Sequence, residues 1–221
     1  LRGRVRGKLE DWDGAAEDLS QAIALDPGLV SATLFRARVR IHRKDLEGAL
    51  EDYTRALERD PQVGWVWAAR GDLRGAWQKK YPAALADLTK AIELDPNIPW
   101  VWGNRGKLRR ALGDPKGALE DLTRGIALSP DEPGDAWIYI ERGAVKRELG
   151  DRQGAARDLD KAIALAPGDA TAYRARGCIG LESKEPRAAL SDFRKALDLS
   201  PSLRTELAPL VAECERALRS P

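Results

Sequence analysis

The sequence predicts an all-α protein built as an array of helix-turn-helix repeats, and three observations carry that prediction. Matching phrases close on proline six times, ALDP (Pro27), ERDP (Pro61), ELDP (Pro96), ALSP (Pro130), ALAP (Pro167) and DLSP (Pro201), at spacings of 34, 35, 34, 37 and 34 residues. A period of this length marks units that bury their apolar faces by stacking on one another. Ahead of each proline stands a pair of small residues: Ala15/Ala22, Ala49/Ala56, Ala84/Ala91, Ala118/Gly125, Ala155/Ala162 and Ala189/Ala196. Further upstream, every copy sets an arginine directly before a glycine, or before alanine in the second copy.

Each period holds two helical stretches of roughly a dozen residues, too short to be stable alone. A short polar turn such as LGDPKG or LGDRQG splits them. Apolar residues recur along each stretch at i, i+3, i+4 and i+7, and the small residues let helix axes approach as ridges-into-grooves packing requires. The copies run over 1–29, 30–63, 64–98, 99–132, 133–169 and 170–202, followed by a closing helix within 203–221. The third copy carries one extra residue between Gly71 and Tyr81, and a longer loop, DEPGD, follows Pro130. In the closing stretch LRTELAPLVAECERALR, Pro209 is expected to kink the helix or move its start.

Charged residues make up 33% of the 221 and hydrophobic ones 43%, with a mean hydropathy of −0.46, the balance of a globular protein with an extended core. No run approaches the roughly 18 apolar residues of a membrane span, and no signal peptide is visible. These features lead us to expect a cytoplasmic protein. Cys178 and Cys214 make no disulfide framework and have no metal-ligand spacing. There is no methionine, and LRGRVRG enters in the middle of a pattern that later copies show in full. The first copy, 1–29, is therefore expected to be truncated, with other domains of the same chain upstream.

Trp-x-x-Arg-Gly, Gly-Asp, Ala-Leu-x-Asp-Leu and Lys-Ala-Ile-x-Leu-x-Pro recur in phase across nearly the whole chain. This pattern resembles the tetratricopeptide repeat. The resemblance implies a right-handed α-α superhelix, a solenoid, with the first helix of each pair lining its concave face. It also implies that 203–219 is the solvating helix that ends such arrays, and that the partner is a protein or peptide.

An aspartate follows each of these arginines by 16 or 17 residues: Arg2/Asp18, Arg36/Asp52, Arg70/Asp87, Arg105/Asp121, Arg142/Asp158 and Arg176/Asp192. The single 17 falls in the copy with the extra residue, so acid and base stay in step across an insertion. These are expected to be structural ion pairs joining the two helices of a repeat, fixing register more than adding net stability.

Tryptophans come in pairs two residues apart, WVWAARG at Trp65 and WVWGNRG at Trp100, with WIYIERG at Trp137. Positions i and i+2 lie about 200° apart on a helix and face different ways. Trp67, Trp102 and Tyr139 are expected to be buried. Trp65, Trp100 and Trp137 are expected to face a ligand, with Ala68 and Gly103 leaving shallow pockets beside two of them. The first-helix stretches are net basic and the second-helix stretches, taken together, net acidic, so a nearly neutral chain should carry a basic groove. The candidate partner-binding residues are Trp65, Trp100, Trp137, Arg38, Asn104, Lys107, Arg110, Arg147 and Arg174.

No Gly-rich phosphate loop, nucleophile–base pair or metal-ligand set stands out. The single histidine, His42, falls on the groove face without a second ligand, and lone Cys178 reads as packing. We expect no catalytic residue, metal or cofactor. The leading function is a non-catalytic protein-interaction scaffold that holds an extended or helical, acidic and apolar segment in a basic, tryptophan-lined groove. One subgroup of the family clamps the C-terminal carboxylate of heat-shock chaperones. Asn104 matches one clamp position, but Ala68, Asp72, Trp137 and Glu141 depart from the pattern. Two alternatives are an RNA-binding helical-repeat module, disfavoured by Asp72 and Glu141 in the basic track, and an accessory array of a larger enzyme.

Overall fold

A computed structural model describes residues 11–219, and among them the secondary structure is helical without a strand. The helices are α1 (Trp12–Leu25), α2 (Val30–His42), α3 (Leu46–Arg59), α4 (Gly64–Ala76), α5 (Tyr81–Leu94), α6 (Pro99–Ala111), α7 (Pro115–Leu128), α8 (Ala136–Glu148), α9 (Arg152–Leu165), α10 (Ala170–Glu182), α11 (Pro186–Leu199) and α12 (Arg204–Arg219). The chain divides into two compact units, residues 1–108 and 109–221. Within each, consecutive helices pack against one another, as a helical-hairpin repeat requires.

Local chemistry sets the helix starts. In Asp-x-x-Gly, the aspartates Asp11, Asp45, Asp114 and Asp151 accept from the backbone N–H of the glycine three residues on, at 2.8–3.0 Å. At Gly117 and Gly154 a Cβ would lie 2.1 and 2.0 Å from the capping carboxylate, so that close approach depends on glycine. Where the turn offers Lys80 or Glu185, no side chain caps the helix, and alanine replaces the glycine, Ala83 and Ala188. At the other end, Asp26, Asp60 and Asp95 of the closing phrases accept from the backbone N–H two residues later.

The small-residue ladder is the meeting line of the helices: Ala49, Ala84, Ala118, Ala155 and Ala189 are all buried. Each core cluster joins a second helix to the first helices beside it. One holds Ala84, Leu88, Ala91 and Ile92 of α5 with Ala68 of α4 and Val101 of α6, and another holds Ala189, Leu190 and Phe193 of α11 with Leu207 and Cys214 of α12. Burying a side chain such as Leu88 is worth about 1.5–3 kcal/mol relative to exposure. Pro209 lies inside α12, whose start is not moved by it, since the helix begins at Arg204.

The ion pairs join the helices as their spacing predicts. Arg36–Asp52, Arg70–Asp87, Arg142–Asp158 and Arg176–Asp192 are bidentate, with N–O distances from 2.6 to 3.0 Å. In the first copy Arg2 lies outside the described residues, and so does its expected pairing with Asp18. A second cation one turn on meets the same carboxylates: Arg40–Asp52 at 3.0 Å, Arg74–Asp87 at 2.7 Å, Arg109–Asp121 at 3.1 Å and Lys146–Asp158 at 2.8 Å. The primary arginine also reaches back to the preceding repeat, Arg36 to Ser20 and Arg70 to Thr54. One side chain thus ties two helices of its own repeat and one of its neighbour.

Candidate functional site

An aromatic three residues before the arginine, Trp67, Trp102, Tyr139 or Tyr173, lies against the guanidinium in four repeats, whereas Thr33 takes this place before Arg36. The guanidinium carbons of Arg70 and Arg105 lie 4.7 and 4.9 Å from the ring centres of Trp67 and Trp102. Both indole N–H groups donate to the closing proline carbonyl of the preceding repeat, Pro61 and Pro96, at 2.8 Å. Tyr139 does the same with its hydroxyl to Pro130 at 2.9 Å. Tyr139 is buried as expected, but Trp67 and Trp102 are only half-buried. The fully buried position is the one between the two aromatics: Val66, Val101 and Ile138 are at most 1% exposed. Both rings flank the core, and the residue between them points into it.

Among the first aromatics, Trp65 is exposed at 43%, whereas Trp100 and Trp137 are half-buried against neighbouring core clusters. Ala68 and Gly103 are buried in helix packing. Sequence reasoning passed over Trp77, also 43% exposed, at the C-cap of α4 in the turn that holds the extra residue. The signal was the insertion itself, a change in a turn that is otherwise uniform.

The cations of the first helices fall into two groups. In the unit up to residue 108, Arg38 and Lys107 are exposed and make no ion pair within 4 Å among the described residues. Asn104 Nδ2 donates to Asp72 Oδ1 at 3.0 Å, linking α6 to α4. Asp72 still meets water, yet desolvation by surrounding protein pushes its carboxyl up, with Lys107 opposing the shift.

In the unit from residue 109, Arg110 donates to Glu141 at 3.0 Å and to Glu148 at 2.8 Å, Arg147 to Glu182 at 2.8 Å, and Arg174 to Glu206 at 2.7 Å. The hydrogen bond from Arg147 is the main reason the Glu182 carboxyl is held below the usual range. The expected basic face is therefore interleaved with its own acids here, because Glu141, Glu182 and Glu206 stand one repeat along, on α8, α10 and α12. His42 is exposed, and its ring stacks on Trp12 at 4.1 Å and 6°. Cys178 is half-buried, and burial raises its thiol, with Arg147 and Arg174 pulling the other way. Among the described residues, no group of three His, Cys, Asp or Glu could hold a metal ion, and no helix is long and apolar enough to cross a membrane.

Comparison with known proteins agrees with this geometry. No curated protein matches the chain in sequence. A chain of the APC/C hetero-tetramer Cut9–Hcn1 superposes with a TM-score of 0.81 at 18% identity over 96% of this chain, which spans only 41% of that one. YrrB, described as a TPR protein with an unusual peptide-binding site, gives 0.69 at 22% identity, covering 91% of this chain and 99% of its own. PilF of Pseudomonas aeruginosa gives 0.75 at 20%, covering 90% and 89%. At these identities the likeness speaks for the fold. The tetratricopeptide repeat profile matches residues 1–63 and 140–203, more than half of the chain, and the chain belongs to the tetratricopeptide repeat family.

Proposed function

We propose that the chain is a non-catalytic interaction scaffold that holds an extended or helical segment of a protein partner against the inward face of its first helices. The observation that carries this reading is Trp65, a large ring left 43% exposed on a helix whose next-but-one residue, Trp67, is fixed by a hydrogen bond and an arginine. A rigid aromatic left in water while its neighbours are anchored is the kind of group that supplies an interface hot spot. YrrB, similar in fold, is described as having a peptide-binding site, which supports the same class of partner.

Arg38 and Lys107 meet the acidic groups of the partner directly. Arg110, Arg147 and Arg174 do so only by exchanging Glu148, Glu182 or Glu206 for a partner carboxylate, and Asn104 by leaving Asp72. Trp100 and Trp137 offer the edges of half-buried rings. The partner segment is thus acidic and apolar where it crosses the first unit, and is read by charge exchange along the second.

The test is selection from a displayed peptide library on the wild-type chain, followed by titration of the selected peptide against Trp65→Ala. A loss of about tenfold or more with an unchanged melting curve is expected. Selected peptides that bind Trp65→Ala as well as wild type, or capture of oligoribonucleotides in place of peptides, would remove this reading.

A further inference from the structure

The ion-pair frame repeats four times with two cations and then loses one. Arg40, Arg74, Arg109 and Lys146 occupy the position four residues after the primary arginine and meet Asp52, Asp87, Asp121 and Asp158. Two of these arginines also donate to a backbone carbonyl near the start of the second helix, Arg40 to Gly48 at 2.7 Å and Arg109 to Gly117 at 3.2 Å. The same two approach the capping carboxylates of Asp45 and Asp114 at 3.4 and 3.9 Å. The position therefore has three acceptors, a carboxylate on each side and a carbonyl between them.

In the sixth repeat this position is Gly180. The three corresponding acceptors are Asp192, Glu185 and the Ala188 carbonyl, and all three residues line a half-open cavity of about 450 Å³ beside Gly180. Glu185 caps no helix, unlike Asp45 and Asp114. Asp192 is 8% exposed and, among the described residues, is held by Arg176 alone. Arg176 meanwhile faces a second carboxylate, Asp160 at 2.7 Å, where the earlier arginines face Ser20, Thr54, Thr89 and Thr123. One arginine thus stands among three carboxylates, and the other cation on the lining, Arg152, already pairs with Glu182 at 3.4 Å.

We propose that this cavity is a binding site for a guanidinium group, the side chain of an arginine on a protein partner, which completes the frame that the chain completes internally in the four repeats before it. A planar guanidinium has donors for a carboxylate and a carbonyl together, the combination that Arg40 and Arg109 already satisfy. The site is independent of the groove reading and stands whether or not Trp65 contacts a ligand.

The probe is N-acetyl-arginine methylamide, with the citrulline analogue as its uncharged match, titrated into the full chain and followed through backbone amides. The arginine derivative should shift the signals of Gly180, Ala188 and Asp192, and citrulline should not. Gly180→Arg should abolish the shifts by filling the cavity from within, and Glu185→Gln should weaken binding severalfold. A Cβ at Gly180 would sit 3.2 Å from the Ala189 Cβ, so Gly180→Ala controls for crowding, and Gly180→Arg should melt above Gly180→Ala. Equal shifts from arginine and citrulline would overturn the proposal, as would full binding by Glu185→Gln. So would a Gly180→Arg chain that melts below Gly180→Ala.

Discussion

The first helices before residue 108 and those after it carry similar cations, yet they present different surfaces. Among the described residues Arg38 and Lys107 stand in water without an ion pair, while Arg110, Arg147 and Arg174 each hold a glutamate from a neighbouring helix. The frame beneath them is common to both units: Arg36–Asp52 and Arg142–Asp158 have the same bidentate geometry. The difference teaches that net charge along a helix does not say what a partner meets. What matters is whether the helix one repeat along already supplies the counter-ion.

The largest expected effect tests the common part. Asp52→Ala strands Arg36 and Arg40, and breaking a buried pair of this kind costs about 3–5 kcal/mol. Asp158→Ala should cost less, because the Arg142 side chain is 15% exposed against 9% for Arg36. Denaturant unfolding of both variants checks this. Equal, negligible losses would show that the frame does not hold the repeats together.

Next in size, Trp65→Ala should weaken peptide binding by about 2 kcal/mol with little change in melting. Trp102→Ala should instead lower stability by about 2–4 kcal/mol, somewhat under a full core truncation, since that ring is half-buried but anchored to Pro96 and Arg105. Thermal melts beside binding titrations separate the two.

The frame was legible in the sequence because its partners lie at one fixed separation, 16 residues, shifted to 17 where the chain has an insertion. The surface pairing was not. Arg110–Glu141, Arg110–Glu148, Arg147–Glu182 and Arg174–Glu206 are separated by 31, 38, 35 and 32 residues, with no common register to notice. The phase argument for the paired tryptophans separated their faces but misjudged which residue is deepest. At 100° per residue, the valine between two rings is closer to the core direction than either, and Val101 is fully buried. Gly180 was visible as a missing cation only after Arg40 and its equivalents were seen on the same aspartates. Trp77 follows no repeat rule, and only its exposure draws notice.

A smaller effect uses pH. Asp72 has a raised folded pKa, so its contribution favours the fold below the unfolded carboxylate range and is lost as pH rises through the folded value. Glu182 has a lowered one, so its contribution is present above the unfolded value and is lost as pH falls through the folded value. Asp72→Asn should therefore raise stability at neutral pH and Glu182→Gln should lower it, with both differences shrinking in acid. Melting curves from neutral to acidic pH check the signs, and a shared sign would erase the contrast between the two surfaces.

The contrast is tested most directly by association kinetics of the selected acidic peptide at low ionic strength, comparing Arg38→Glu/Lys107→Glu with Arg174→Gln/Glu206→Gln, which removes a cation together with its counter-ion. Unpaired cations steer encounter, whereas cations already neutralised contribute little to it. The first variant should slow association severalfold, and added salt should erase the loss. The second should leave the rate near that of wild type. Equal slowing by both, or a larger effect from the second, would contradict the claim that the two units offer different charge to a partner.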